Sequence, residues 1–203
     1  MRCTLFPLAF AALASAGLLT PLTDKFNSIS ASLNNGNRDI VESNRALSVS
    51  TDDRTRMESV IGLLNAANIV GTDFWVLAYD TLKTVHSIPK NVTVSSFNKQ
   101  DLIDLNSAVD AHASSIDNVI ASVNNTVAIT KANSDLTLAD KIALENAYEV
   151  VINAAIAGSE PLWDLGTTLG IDSADDVPAT HGFIHFFNTW ASLVNFKNEV
   201  DFA

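Results

Sequence analysis

Four histidines and a few acidic pairs are the side chains of this 203-residue chain whose types and spacing could carry chemistry. His181 and His185 stand four apart, so on a helix they share a face and could clamp a metal ion, with Asp175 or Asp176 as a third ligand. The glutamate that a zinc protease places after its first histidine is here Gly182. In the plainer reading, His181 opens a helix and His185 lies on its polar flank. His112 falls inside an apolar helical seam, where burial could tune it as a base or ligand. It could equally be a hydrogen-bonded core residue. Asp52-Asp53 and Asp175-Asp176 could pose as paired glycosidase carboxylates, but they sit at a helix start and in a loop, where capping and solvated acids are expected.

The remaining catalytic signatures do not occur. The eight glycines are scattered, without the clustering that a phosphate loop or dinucleotide-binding turn needs, and there is no Gly-x-Ser-x-Gly elbow. The sequence therefore predicts a non-catalytic protein with no cofactor and no resident metal. What it does offer is hydrophobic surface. Phe183, Phe186, Phe187, Trp190, Phe196 and Phe202 crowd into the last predicted helix, and Phe186 and Phe187 point about 100° apart. Both cannot face one narrow seam. Either the helix is nearly enclosed and its aromatics fill core, or some of them line a ligand cavity or become exposed when helices part. On the second reading the ligand-binding residues are Phe74, Trp75, Phe183, Phe187 and Trp190, with His112 as a polar anchor.

The elements that must position these groups are all helical. Leu102, Leu105, Val109, His112, Ile116, Val119, Val123 and Val127 recur at steps of three and four, an apolar seam flanked by Asp104, Asp110, Ser114, Asp117 and Asn118. Such a seam needs cover, so the other helices are expected to wrap around this one. Upstream, Leu22 to Leu47 has helical spacing, with Thr23 as N-cap and Asn34-Asn35-Gly36-Asn37 as a break or kink. Ser50-Thr51-Asp52-Asp53 opens a second helix of 30 or more residues that reaches His86. Its face is drawn from Met57, Val60, Ile61, Leu64, Ala67, Gly71, Phe74, Trp75, Ala78, Leu82 and Val85. Ile88 to Val94 reads as a crossing loop, after which Ser96 or Asn98 caps the seam helix. Thr137 with Asp140 opens a fourth helix that ends at Gly158, and Pro161 restarts a short turn carrying Trp163. Gly170 to Pro178 is an acidic loop, and the last helix runs from Ala179 to about Val200. No stretch alternates as a strand does, so the fold class is all-α, a bundle of four to six amphipathic helices in one domain over residues 17–203.

Residues 1–16 read as a cleaved signal peptide: a basic start at Arg2, an apolar run from Leu5 to Leu13, and Ala14-Ser15-Ala16 as the cleavage pattern. Cleavage removes Arg2 and the single cysteine, Cys3. Eleven basic side chains then face 23 acidic ones, which takes the net charge from −11 to −12. A chain without thiols must be held by packing alone. Its acidity disfavours nucleic acid and anionic membranes, which need basic patches, and no later stretch approaches the composition of a membrane span. Asn91-Val92-Thr93 and Asn124-Asn125-Thr126 are N-glycosylation patterns that would be used in a secreted eukaryotic protein.

A family resemblance follows from two stretches. After the signal peptide come Leu19-Thr20-Pro21-Leu22-Thr23 and then amphipathic helices rich in Ala, Ser, Asn and Asp. Ser134-Asp135-Leu136-Thr137-Leu138-Ala139-Asp140-Lys141-Ile142-Ala143-Leu144 supplies a Leu-Ser/Thr-Leu-x-Asp-Ala-like helix opening. In these features, loosely over Leu18 to Ile156, the chain resembles the fungal hydrophobic surface-binding protein A family, also called cell-wall galactomannoproteins. The resemblance implies a secreted helical protein, associated with the cell wall, that adsorbs to hydrophobic surfaces or binds fatty acids and other lipids without catalysis. The expected partner is accordingly an apolar small molecule or hydrophobic surface. The alternatives are an extracellular structural or protein-interaction module without a small-molecule ligand, and a metal-dependent enzyme using His181, His185 and a carboxylate.

Overall fold

Helix-favouring sequence, with side-chain caps at three of the starts, gives five long helices among the described residues. The computed structural model describes residues 17–89, 92, 96–169 and 180–199. These form α1 (Leu19–Val49), α2 (Asp53–Ser87), α3 (Lys99–Ala132), α4 (Leu138–Thr168) and α5 (Thr180–Glu199), with no strand among the described residues. The stretch 1–16, Asn91, Phe202 and the acidic segment with Asp175 and Asp176 lie outside the described residues.

The caps follow the sequence closely. Asp52 accepts from the Thr55 amide at the start of α2, and Asn98 accepts from the Gln100 amide at the start of α3. At α4, Thr137 and Asp140 form a reciprocal capping box. Two expected interruptions do not occur. Helix α1 runs straight through Asn34 to Asn37, because Gly36 is buried against α2 and leaves just enough space for Val70. It also begins four residues before Thr23, which is a buried interior residue rather than the N-cap. Pro21 is tolerated there because the first turn has no backbone partner to lose. Helix α4 passes through Pro161 without restarting, since Leu162, Leu165 and Leu169 bury completely along the face already begun by Leu144, Tyr148 and Ile152.

The helices alternate in direction. Lys25 near the start of α1 pairs with Asp80 near the end of α2 at 3.2 Å, while Asn44 donates to the Ser122 carbonyl at 3.2 Å, so α1 and α3 run the same way. The Tyr148 hydroxyl lies 3.5 Å from the Leu63 carbonyl, and Gly158 rests on the backbone of Phe74, so α4 runs alongside α2 in the same sense. The closest packing joins α2 to α4, α1 to α2 and α1 to α3. Helix α5 fills the space between α3 and α4, and its seam with α4 is the thinnest.

Helix α3 is therefore one stave of a five-membered ring rather than a shaft that the others surround. Its seam is nonetheless buried from Leu102 to Val123, as its spacing predicts. The face of α2 is shifted from the one expected. Val60, Leu63, Ala66, Val70, Phe74, Leu77 and Thr81 point inward, whereas Met57, Ile61, Trp75 and Leu82 are exposed. Several hydroxyls inside the bundle bond within their own helix, as Ser30 does to the Phe26 carbonyl and Thr126 to the Ser122 carbonyl, whereas those of Thr23, Thr81 and Thr130 have no partner among the described residues.

Candidate functional site

The exposed apolar residues are distributed unevenly. Of fourteen large hydrophobic side chains exposed among the described residues, seven lie on α2 (Met57, Ile61, Ile69, Trp75, Val76, Tyr79 and Leu82). Four lie on α4 (Leu138, Ile142, Val150 and Trp163), and none on α3. At 100° per residue the seven on α2 occupy a sector roughly 140° wide, beside the buried face and with Glu58 and Lys83 near its ends. Because α2 and α4 are neighbours, this is one side of the molecule. Helix α2 also contains an 18-residue window of mean hydropathy 1.5, 44% of it buried. One stretch after residue 16 thus does approach the composition of a membrane span, contrary to the sequence expectation, and its buried half belongs to the bundle core.

Two open grooves flank α4 on this side. One, of about 330 Å³, lies against α2 and is lined by Leu64, Ala67, Asn68, Gly71, Thr72, Trp75, Ala147 and Val150. The other, of about 380 Å³, lies against α5 and is lined by Ser159, Glu160, Trp163, Asp164, Phe186, Phe187 and Trp190. In the second groove the Trp163 ring stands 4.4 Å from Phe187 and 6.3 Å from Trp190, centroid to centroid. The Ser159 hydroxyl is already donated to the Ala155 carbonyl at 2.7 Å. The Trp190 indole N–H is shut away from solvent and has no partner among the described residues.

An interior pocket among the described residues, between Phe74, Ile116, Val119, Ala155, Leu193 and Phe196, measures about 10 Å³, room for roughly one water molecule. A lipid chain does not fit there while the helices stay together.

The six residues expected to bind ligand accordingly divide. Phe187 and Trp190 line the α4/α5 groove, and Trp75, 54% exposed, lines the α2/α4 groove. Phe74 and Phe183 are core residues and do not reach either groove lining. His112 is core as well, only 2% exposed. Its ring meets Phe26 at 5.3 Å and Phe74 and Phe186 at 6.2 Å, and its Nδ1 has no hydrogen-bond partner among the described residues. Desolvation in this aromatic shell pushes its pKa down to about 3, so it is neutral at ordinary pH.

His181 and His185 do not form a clamp with each other. Both face α3. The His185 ring is held between two carboxylates, with Nδ1 2.8 Å from Asp110 and Nε2 3.0 Å from Asp117. Those contacts, Asp110 first, raise its pKa against a smaller opposing effect of burial. His181 is 88% exposed and approaches only Asp110, at 3.6 Å. No group of three or more His, Cys, Asp or Glu side chains able to hold a metal occurs among the described residues. Gly182, the residue in place of the zinc-protease glutamate, has a packing role. A Cβ there would run into the Asn106 carbonyl oxygen, and its N–H donates to the Asn106 side chain at 2.8 Å, which caps the first turn of α5 from α3. Of the two glycosylation patterns, Asn124 is exposed on α3, but the Thr126 hydroxyl beside it is buried.

Glu160, Trp163 and Asp164 were missed as a set by the sequence reading. Their i, i+3, i+4 spacing places them on one helical face, and that signal was hidden by treating Pro161 as a break. No family model, curated protein or solved structure matches the chain.

Proposed function

We propose that this is a secreted, non-catalytic binder of apolar matter, adsorbing to hydrophobic surfaces and taking up amphiphilic molecules along α2, α4 and α5. The observation that carries this reading is the concentration of eleven of the fourteen large hydrophobics exposed among the described residues on two adjacent helices, with a mainly apolar groove on either side of α4. The resemblance to the hydrophobic surface-binding family supports it and adds the cell wall as the setting. On this reading binding takes place on the outside of the bundle, since the interior pocket beside Phe74 and Phe196 is too small for a chain.

Adsorption from dilute solution onto polystyrene or alkyl-silane beads tests this directly. The wild-type chain is expected to deplete from solution. The quadruple variant Ile61→Ser, Trp75→Ser, Tyr79→Ser, Val150→Ser, altered only at exposed positions, should keep its helical circular dichroism and lose most of its adsorption. A wild-type chain that stays in solution, or a variant that adsorbs as well as wild type, sinks the proposal.

A further inference from the structure

The α4/α5 groove carries a second kind of information, the sign of charge it would accept. Its walls are the rings of Trp163, Phe187 and Trp190, and its rim holds the carboxylates of Glu160 and Asp164, one helical turn apart on α4. The other polar groups of the lining are not presented to the groove: the Ser159 hydroxyl is donated to its own helix, and the Trp190 N–H, though without a partner among the described residues, is sealed from solvent. What remains for a ligand is π-faces and two anions. Neither Glu160 nor Asp164 has an ion pair among the described residues. Arg38, Arg45, Arg54 and Arg56 all lie toward the opposite end of the bundle, in the second half of α1 and the first turn of α2.

We infer that this groove binds an organic cation, an alkyl chain ending in a quaternary ammonium or similar soft positive head group. Such a head group gains from aromatic faces and from nearby carboxylates at once, and it needs no hydrogen-bond acceptor, which an ammonium of this kind could not donate to. A fatty-acid carboxylate would meet only like charge at the rim. The inference rests on the groove being a ligand site, as proposed above, and adds the head group that it selects.

The full chain in a Trp75→Phe background, so that Trp163 and Trp190 report, is titrated at pH 7 and low salt with decyltrimethylammonium, decanoate and uncharged decyl maltoside, each below its micellar concentration. The cation should bind at least about tenfold tighter than decanoate, the scale of a combined cation–π and charge preference. The pair Glu160→Gln, Asp164→Asn should erase that preference while leaving maltoside binding intact. Removing the same charge from exposed α1, by Asp39→Asn with Glu42→Gln, should leave it in place, which separates the groove from the net charge of the molecule. Equal binding of the three probes, or a preference that survives in the groove variant or disappears in the α1 variant, overturns the inference and spares the general reading. Failure of all three to bind removes the groove as a ligand site altogether.

Discussion

At the scale of single residues, His112 and His185 have opposite fates although both are histidines on or facing α3. His112 is surrounded by Phe26, Phe74 and Phe186, with no acid to share a proton, and its folded pKa of about 3 lies below the unfolded value of 6.5. The unfolded chain therefore takes up a proton that the folded one refuses. Stability from this residue is intact above pH 6.5 and falls by roughly 1.4 kcal/mol for each unit below it, down to about pH 3. Chemical denaturation at pH 6.5 and 4.5 should show a loss on the order of 2 kcal/mol in the wild type. His112→Leu, which fills similar space without an orphaned nitrogen, should be flatter over the same interval and more stable at neutral pH. An unchanged pH slope in the variant would place the acid sensitivity elsewhere. The seam spacing was enough to locate His112 in the core, since every third or fourth neighbour is apolar. It could not tell core from ligand pocket, because that depends on whether Phe26 and Phe186, 86 and 74 positions away in sequence, close over the ring.

At the scale of elements, what the sequence made legible was whatever is encoded locally. Asp52, Asn98 and the Thr137–Asp140 pair are caps because their side chains reach only two or three residues along the chain, and all were readable. Gly36 and Pro161 were misjudged because their local propensities are overridden by partners far away. At Gly36 that partner is Val70: a Cβ added there would lie 2.7 Å from a Val70 methyl, in a buried position on both helices. Gly36→Ala should therefore destabilise the protein by about 1–3 kcal/mol, even though alanine is the better helix former by roughly 1 kcal/mol. A thermal melt that rises in this variant would mean that the α1/α2 seam relaxes around the methyl. The exposed sector of α2 was misassigned for the same reason. Met57, Ile61 and Leu82 share its apolar periodicity, and only the positions of α1 and α4 decide which part of so broad a face is covered.

At the scale of the whole molecule, α5 is the least secured part of the ring. It is the shortest helix, its seam with α4 is the thinnest, and its contact with α3 includes the Asp110–His185–Asp117 arrangement and the Asn106 cap on Gly182. The His185 pKa is raised in the fold, so its contribution is fully present below about pH 6.5 and is lost as pH rises through the folded value. The ring is partly exposed, and the effect is worth a few tenths to about 1 kcal/mol. Amide hydrogen exchange in a His112→Leu background, which removes the opposing acid sensitivity of the ring that Phe186 covers, and corrected for its intrinsic pH dependence, should report less protection for α5 at pH 8 than at pH 5.5. His185→Gln should remove the difference, and an equal difference in that variant would show that the carboxylate clamp does not govern it. Opening at α5 would also take apart the aromatic wall built by Phe187 and Trp190, so occupancy of that groove and closure of the ring are coupled.

The uneven dress of the bundle has one further consequence. Helix α2 is 35 residues long, about 52 Å at 1.5 Å per residue, so a molecule resting on its α2/α4 side lies flat, with its long axis in the plane of whatever it coats. The opposite side, α3, then looks outward with Asp104, Asp110, Ser114 and Asp117. A single layer one bundle thick would turn a water-shedding material into one that water spreads across.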